Sequence, residues 1–355
     1  MQKDEDELLG WCIRVLKQEL SKMQSVGLMN GKMGVCLAMY HFESLISCTN
    51  ATILGDSLVD DIFRNISKNL TLDFSDSLGG IGWGLGHALQ QKFVEGDADD
   101  LLIDVDKKYM LSLVYKKPGE LGLMSGMSGY GFYFLSRIKC NNAHDEHFFT
   151  ITNKYCLEKT IKHIEQLLGQ LNFNIDEPEE FSFFWDLPVL IFLMAECITG
   201  KVCVKNATAI TRKLVTAANN KGSMRASSRL LLWLVSKYFC FKTGISLLLD
   251  IDAPNVYDLN EVKNDLNERY GIDGASGIAL LYHMIFKNSQ DLNMRKQALY
   301  WLEQASQSMK NTKNDFEAER VCLIHHLGLL NGIPGFILAK SIVSPKSLKT
   351  YGNHN

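Results

Sequence analysis

Gly27-Leu28-Met29-Asn30-Gly31-Lys32-Met33-Gly34 is an eight-residue stretch that this chain repeats with little change. It returns as Gly122-Leu123-Met124-Ser125-Gly126-Met127-Ser128-Gly129 and as Gly328-Leu329-Leu330-Asn331-Gly332-Ile333-Pro334-Gly335. Each copy runs straight into an apolar helical segment. Two looser copies stand between them, Ser77-Leu78-Gly79-Gly80-Ile81-Gly82 and Tyr270-Gly271-Ile272-Asp273-Gly274-Ala275-Ser276-Gly277. The starts fall near 27, 77, 122, 271 and 328, a period of about 50 residues. The gap from 122 to 271 has room for two more units. Phe181 to Met194 and Gly222 to Val235 stand at the right places; both keep the apolar run and have lost the paired glycines. The chain therefore reads as seven units, two of them degenerate. Stacked units of this kind can form one domain larger than usual. The expected domain spans 1–355, with a frayed tail over 344–355.

Strand signals are almost absent and helical spacing dominates. Val35 to Phe42, Gly131 to Leu135 and Ile278 to Ile285 are apolar on nearly every face, which marks helices buried on all sides. Glu5 to Met23, Ser57 to Leu70, Asn153 to Leu171 and Asn293 to Met309 alternate charged and apolar faces. The alternation predicts seven pairs, an exposed outer helix followed by a buried inner one, about fourteen helices in all. The motif glycines then stand at the inner-helix starts. Glycine inside a helix costs about 0.5–1 kcal/mol against alanine. Paying that repeatedly points to close approach between neighbouring helices and loops. The same helix starts would converge on one mouth, with unpaired N–H groups and positive dipole ends able to hold an anion, a carboxylate or a peptide turn.

Composition excludes several classes. A net charge of −3 favours neither nucleic acid nor an anionic membrane. Nine cysteines, at 12, 36, 48, 140, 156, 197, 203, 240 and 322, are scattered without a Cys-x-x-Cys. They read as reduced, buried thiols of a cytoplasmic protein. The N-terminus lacks a signal-peptide apolar region. The longest apolar run, Leu187 to Ile198, holds a proline and a glutamate and is too short to span a bilayer. Glu95 to Asp106 is acidic but lacks the order of a calcium loop, so it reads as a solvated loop leading into a helix. Asn172 to Glu180 reads as another acidic surface loop.

Seven such pairs with Gly-Leu-Met-x-Gly-x-x-Gly at the inner-helix starts resemble the LanC-type lanthionine synthetases, cyclases of ribosomally made lanthipeptides. The resemblance covers about residues 5 to 342. It implies an all-α fold, an α/α toroid or double ring of helices. It also implies one zinc at the mouth, held by two cysteines and a histidine, which activates a peptide cysteine thiolate for addition to a dehydroalanine or dehydrobutyrine. Three protein ligands and one open position suit that chemistry. This chain departs at those positions. The family's Cys-His pair of the sixth unit is matched by Ile272 and Asp273. The fifth unit offers Ser223, Met224 and Arg225, and no cysteine lies between Cys203 and Cys240. The fourth unit, which often carries a histidine, has Phe183-Phe184-Trp185-Asp186. No cofactor is expected unless the ligands have been relocated.

The best relocated zinc set is Cys322-x-x-His325-His326, with Asp273 from the neighbouring unit. Cys322, His325 and His326 would share a helix face if the outer helix extended that far. Alternatively, the His-His pair caps carbonyls at a helix end. His87 and His283 sit inside apolar runs and read as satisfied core histidines. Asp76 and Asp273 read as N-caps of their inner helices. Trp83 also stands near a helix start, and Trp185-Asp186 puts bulk and charge where glycines are expected, to narrow the toroid's centre or to bind a ligand there.

Three functions follow. The first is a LanC-like component of a peptide-maturation pathway, without the zinc site, binding a precursor peptide or a separate modifying enzyme. Peptide dehydration would then fall to another protein, since the toroid takes the whole chain. The second is an active cyclase, with a relocated metal or a metal-free base such as His325 or His326. The third is another toroid enzyme such as a glycosidase, for which Asp76, Asp186 and Asp273 are candidate carboxylates.

Overall fold

The computed structural model describes residues 2–46, 49–66, 70–116, 119–140, 148–170, 176–252, 256–318 and 323–344. Within them the chain forms fourteen α-helices and no strand. Seven are outer helices: α1 (Gln2–Glu19), α3 (Thr49–Asn65), α5 (Ala98–Tyr115), α7 (Phe148–Gln170), α9 (Val204–Asn219), α11 (Val256–Leu266) and α13 (Leu292–Glu317). Seven are inner helices: α2 (Lys32–Ile46), α4 (Leu78–Gln90), α6 (Met127–Cys140), α8 (Asp186–Thr199), α10 (Ala226–Thr243), α12 (Ala275–Ser289) and α14 (Ile333–Val343). Each inner helix packs against the next, and α14 closes the ring on α2. The all-α toroid expected from the repeat is therefore what the chain builds.

Burial separates the two rings. Along α8, Leu187, Leu190, Ile191, Leu193 and Met194 are all 0% exposed, because both the outer ring and the neighbouring inner helices cover them. Truncating one of them to alanine would cost about 2–5 kcal/mol. The run Leu187 to Ile198 is thus a buried helix, as expected, and no helix among the described residues is long and apolar enough to cross a membrane. Two outer helices, α5 and α13, start on capping aspartates: Asp97 accepts from the Asp99 amide at 2.7 Å, and Asp291 from the Asn293 amide at 2.8 Å. Inner helices do not. Ser77, Trp185, Arg225, Gly274 and Gly332 occupy the N-cap positions, and none makes a side-chain cap bond.

Two sequence expectations change here. Asp76 and Asp273 do not cap their own helices; both carboxylates reach across to a different unit. The acidic stretch from Glu95 is loop only as far as Asp97, and two of its acids are not solvated. Asp99 and Asp106 are buried against Arg137 of α6, at 2.7 and 2.8 Å, with Tyr133 also donating to Asp106. A buried guanidinium with two carboxylates pins α5 onto α6; removing one partner would strand the others.

Candidate functional site: the ring of loops at the toroid mouth

Loops that precede five of the inner helices bond to one another in series around the mouth. The Ile272 and Asp273 amides of unit six donate to the Leu329 and Leu330 carbonyls of unit seven (3.4 and 2.9 Å). The Leu330 amide donates to the Met29 carbonyl of unit one (3.1 Å). Leu28 and Met29 donate to the Ser75 carbonyl of unit two (2.9 and 2.8 Å), and Phe74 donates to the Met124 carbonyl of unit three (2.7 Å). Glycine makes this spacing possible. A Cβ on Gly27 would lie 2.1 Å from the Asp76 Cα, and one on Gly271 would lie 2.4 Å from the Leu330 carbonyl oxygen. The first amides of the inner helices bond to carbonyls of their own preceding loop, as Met33 does to Gly27, Met127 to Glu120 and Ala275 to Arg269, so they are satisfied without a side-chain cap.

Asp76 reinforces one of these joints: its carboxylate accepts from the Asn30 amide at 2.8 Å and from Asn30 Nδ2 at 3.2 Å. Units four and six join differently. The Phe183 amide donates to Asp273 Oδ1 at 2.6 Å, and the Arg269 guanidinium donates to the Phe181 carbonyl at 2.9 Å and to Asp273 Oδ2 at 3.3 Å. The loop of unit five joins its neighbours through side chains instead: Arg225 donates to Glu177, Ser227 donates to Asp265, and Lys221 lies over the Trp185 ring. A polar cavity of about 790 Å³ opens beside it, between that loop, residues 250–252 and α11.

Inside the ring the axis is apolar. Leu28, Phe74, Leu123, Ile272 and Leu329, one from each of five units, are buried in one cluster, with Phe183 and Phe184 packed against it. Trp185 is not the residue that narrows the centre. It is buried towards Lys221, and its phenylalanine neighbours take that place. Asp186, at the first turn of α8, sits beside Gly122; burial, then the charge of Glu120, raises its pKa. Asp273 is pushed up to about 6 by burial, against the pull of its bond from Phe183 and the charge of Arg269.

These residues do not fit a zinc centre. Ile272 belongs to the apolar cluster, and the Asp273 carboxylate is committed to Phe183 and Arg269. The corresponding segment of unit five, Ser223 to Arg225, has no cysteine. Among the described residues no three His, Cys, Asp or Glu side chains are grouped to hold a metal ion. For the relocated set, Cys322 lies outside the described residues. The outer helix stops at Glu317, and His325 and His326 stand on a 3-10 turn, Leu323–His326, so the shared α-helical face does not form. His326 stacks on Tyr270 and bonds its hydroxyl through Nδ1 at 2.6 Å. Burial, then the charge of His325, lowers its pKa.

The opposite end of the axis is polar. His87 lines a cavity of about 360 Å³ there, together with Gln90, Lys139, Glu196, Tyr238 and Lys242. His87 and His41 meet through their Nε2 atoms at 3.0 Å, and Trp83 stacks on His87. Burial, then His87, pushes His41 down to about 4, and burial lowers His87. Both imidazoles are thus neutral at pH 7. Glu196 meets Lys139 at 2.6 Å and accepts from Tyr238; burial raises its pKa, but Lys139 and the hydrogen bonds outweigh it and hold the group below the usual range. His283 is half-buried against Phe286. The sequence shows His87 and Glu196 but not their partners, which lie 46 and 57 residues away.

No protein-family model matches the chain, and no curated protein sequence does. A solved structure does: nisin cyclase, at TM-score 0.59 and 11% identity, over 96% of this chain and 94% of that one. A ring of seven inner helices, an outer ring around it and this match over nearly the full length make the fold of the chain the LanC-like α/α toroid.

Proposed function

We propose that this chain is a LanC-like component of a ribosomal-peptide maturation pathway, acting in the cytoplasm, that binds a peptide at the toroid mouth without the family's zinc-dependent ring closure. One observation carries the reading. The positions that would present Cys and His to a zinc hold Ile272, turned into an apolar cluster, and Asp273, bound to Phe183 and Arg269. A scaffold that keeps its joined loops, and holds an apolar side chain and a carboxylate spent on a loop joint at the donor positions, keeps binding and gives up Lewis-acid chemistry. The likeness to nisin cyclase supplies the peptide class. The free cysteines among the described residues agree with a reducing compartment.

The test uses the untagged chain and synthetic peptides that carry one dehydroalanine and one cysteine. Peptide retention without thioether formation, with or without added zinc, is the expected result. Stoichiometric zinc with ring closure would overturn it. A second reading, metal-free closure with His326 as base, has one observation in its favour: burial keeps that imidazole neutral at pH 7. Ring closure that persists in a chelator and is lost in His326→Gln would establish it. For a glycosidase, Asp76 and Asp273 spend their carboxylates joining loops, which leaves Asp186 alone among the three candidate carboxylates.

A further inference from the structure

The axis beneath the ring of loops holds a second, smaller cavity of about 220 Å³. Its walls come from four units: Leu123 from unit three, Phe183 and Phe184 from unit four, Leu231 from α10, and Ile272 and Leu280 from unit six. Every side chain that lines it is apolar. Phe132, Phe192 and Met284 line both this cavity and the polar one, so they form a floor between the two. In that floor the Phe132 and Phe192 rings are 6.1 Å apart and tilted, and Phe192 lies flat on Tyr238 at 4.5 Å. Phe183, Phe184 and Leu280 are only half-buried, although they face the centre of a closed ring. Apolar surface is therefore left open at the point where the fold could most easily have filled it.

An apolar cavity of about 150 Å³ stays dry and takes up a benzene-sized ligand. The present cavity has room for one ring up to the size of an indole, or for one branched aliphatic chain. A carboxylate, an ammonium or an amide placed there would lose its water without gaining a partner. We propose that the cavity is an anchor pocket for a single bulky apolar side chain, aromatic or branched aliphatic, of a peptide held at the mouth. The proposal rests on the peptide-binding reading above and adds the chemistry of the residue selected. The loops carrying Leu123, Phe183 and Ile272 position the peptide backbone over the opening. The Phe132–Phe192–Met284 floor sets the depth and keeps the side chain away from Lys139 and Glu196.

The experiment compares pentapeptides Ala-Gly-X-Gly-Ala with X as Leu, Phe or the Leu-sized Asn, measured by calorimetry on the full chain. The same titrations are run on Leu280→Trp, which fills the cavity, and on Leu280→Ala, which enlarges it. If Leu280→Trp does not fold by circular dichroism, Leu280→Phe replaces it. A parallel arm adds toluene and reads the shift in melting temperature. Binding of the Leu and Phe peptides at least about tenfold tighter than the Asn peptide, abolished by filling and retained on enlargement, is expected. Equal binding of Leu and Asn peptides would overturn the pocket and leave the peptide reading standing. Stabilisation by toluene, lost on filling, with no peptide bound would overturn the peptide as occupant and reassign the cavity to a small apolar molecule. Neither ligand binding would overturn both.

Discussion

The two ends of the toroid axis solve the same packing problem with opposite chemistry. At the mouth, backbone meets backbone: loops from units six, seven, one, two and three exchange amide–carbonyl bonds, and apolar side chains fill the middle. At the far end, side chain meets side chain: His41 with His87, and Lys139 and Tyr238 with Glu196, around a polar cavity. Backbone joints demand glycine, because two chains cannot come within bonding distance past a Cβ. Side-chain joints tolerate a Cβ, because a rotamer can give way. The lesson is that the repeated motif specifies one end of the barrel only, and the other end is free to vary in charge.

One helix offers the largest test of that contrast. Both Gly80 and Gly86 lie on α4. A Cβ on Gly80 would come within 2.1 Å of the Phe74 carbonyl oxygen, whereas one on Gly86 would meet the movable Ser136 hydroxyl at 2.9 Å. Gly80→Ala should cost about 3 kcal/mol. Gly86→Ala should fall within about 1 kcal/mol of the parent, because the gain in helix propensity offsets the shift of Ser136. Urea unfolding measures both, and equal losses would break the comparison.

The ends should also answer acid with opposite signs. Asp273 at the mouth has a folded pKa of about 6, above its ordinary value, so its contribution improves as pH falls through 6. His41 at the far end has a folded pKa of about 4, below its ordinary value, so its contribution is lost as pH falls from about 6.5 towards 4. Between pH 7 and 5 each effect is on the order of 1–2 kcal/mol, and in the parent they nearly cancel. Asp273→Asn should therefore make the protein acid-sensitive, and His41→Gln should make it gain stability on acidification. Chemical denaturation at the two pH values reads the sign directly; the same slope in both variants would refute the assignment.

Smaller effects sharpen the picture. Lys139→Met leaves the Glu196 carboxylate buried with Tyr238 alone and should cost about 1 kcal/mol, reduced because the lysine is half exposed. Asp76→Ala removes a joint that duplicates backbone bonds, and a loss of no more than about 1 kcal/mol in thermal unfolding is expected. A larger loss from Asp76→Ala than from Lys139→Met would mean that side chains, not backbone, hold the mouth.

The fold was legible in the sequence because its signal is local and repeated. Gly27 to Gly34 and its copies announce where an inner helix begins, and the apolar runs announce that it is buried. The departure from the Cys and His pattern of the LanC-type cyclases, at Ile272, Asp273 and the stretch from Cys203 to Cys240, can be read directly as well. The roles of single polar residues were not. Asp76 and Asp273 looked like caps because an aspartate before a helix usually is one. Trp185-Asp186 left two readings open, a narrowed centre or a bound ligand, because bulk and charge replaced glycine there; the chain turns Phe183 and Phe184 to the axis. His325 and His326 looked like neighbours on a helix that ends eight residues earlier, at Glu317.

By itself the sequence determined seven all-α helix pairs, and the ring only through a resemblance, because helix periodicity and glycine spacing act over fewer than ten residues. The tertiary structure alone decided that unit five joins its neighbours through side chains and that an apolar pocket and a polar cavity share one floor. It alone paired His41 with His87 and Arg137 with Asp99 and Asp106. Those features join residues 31 to 90 positions apart, and ring closure, rather than local preference, sets which of them meet.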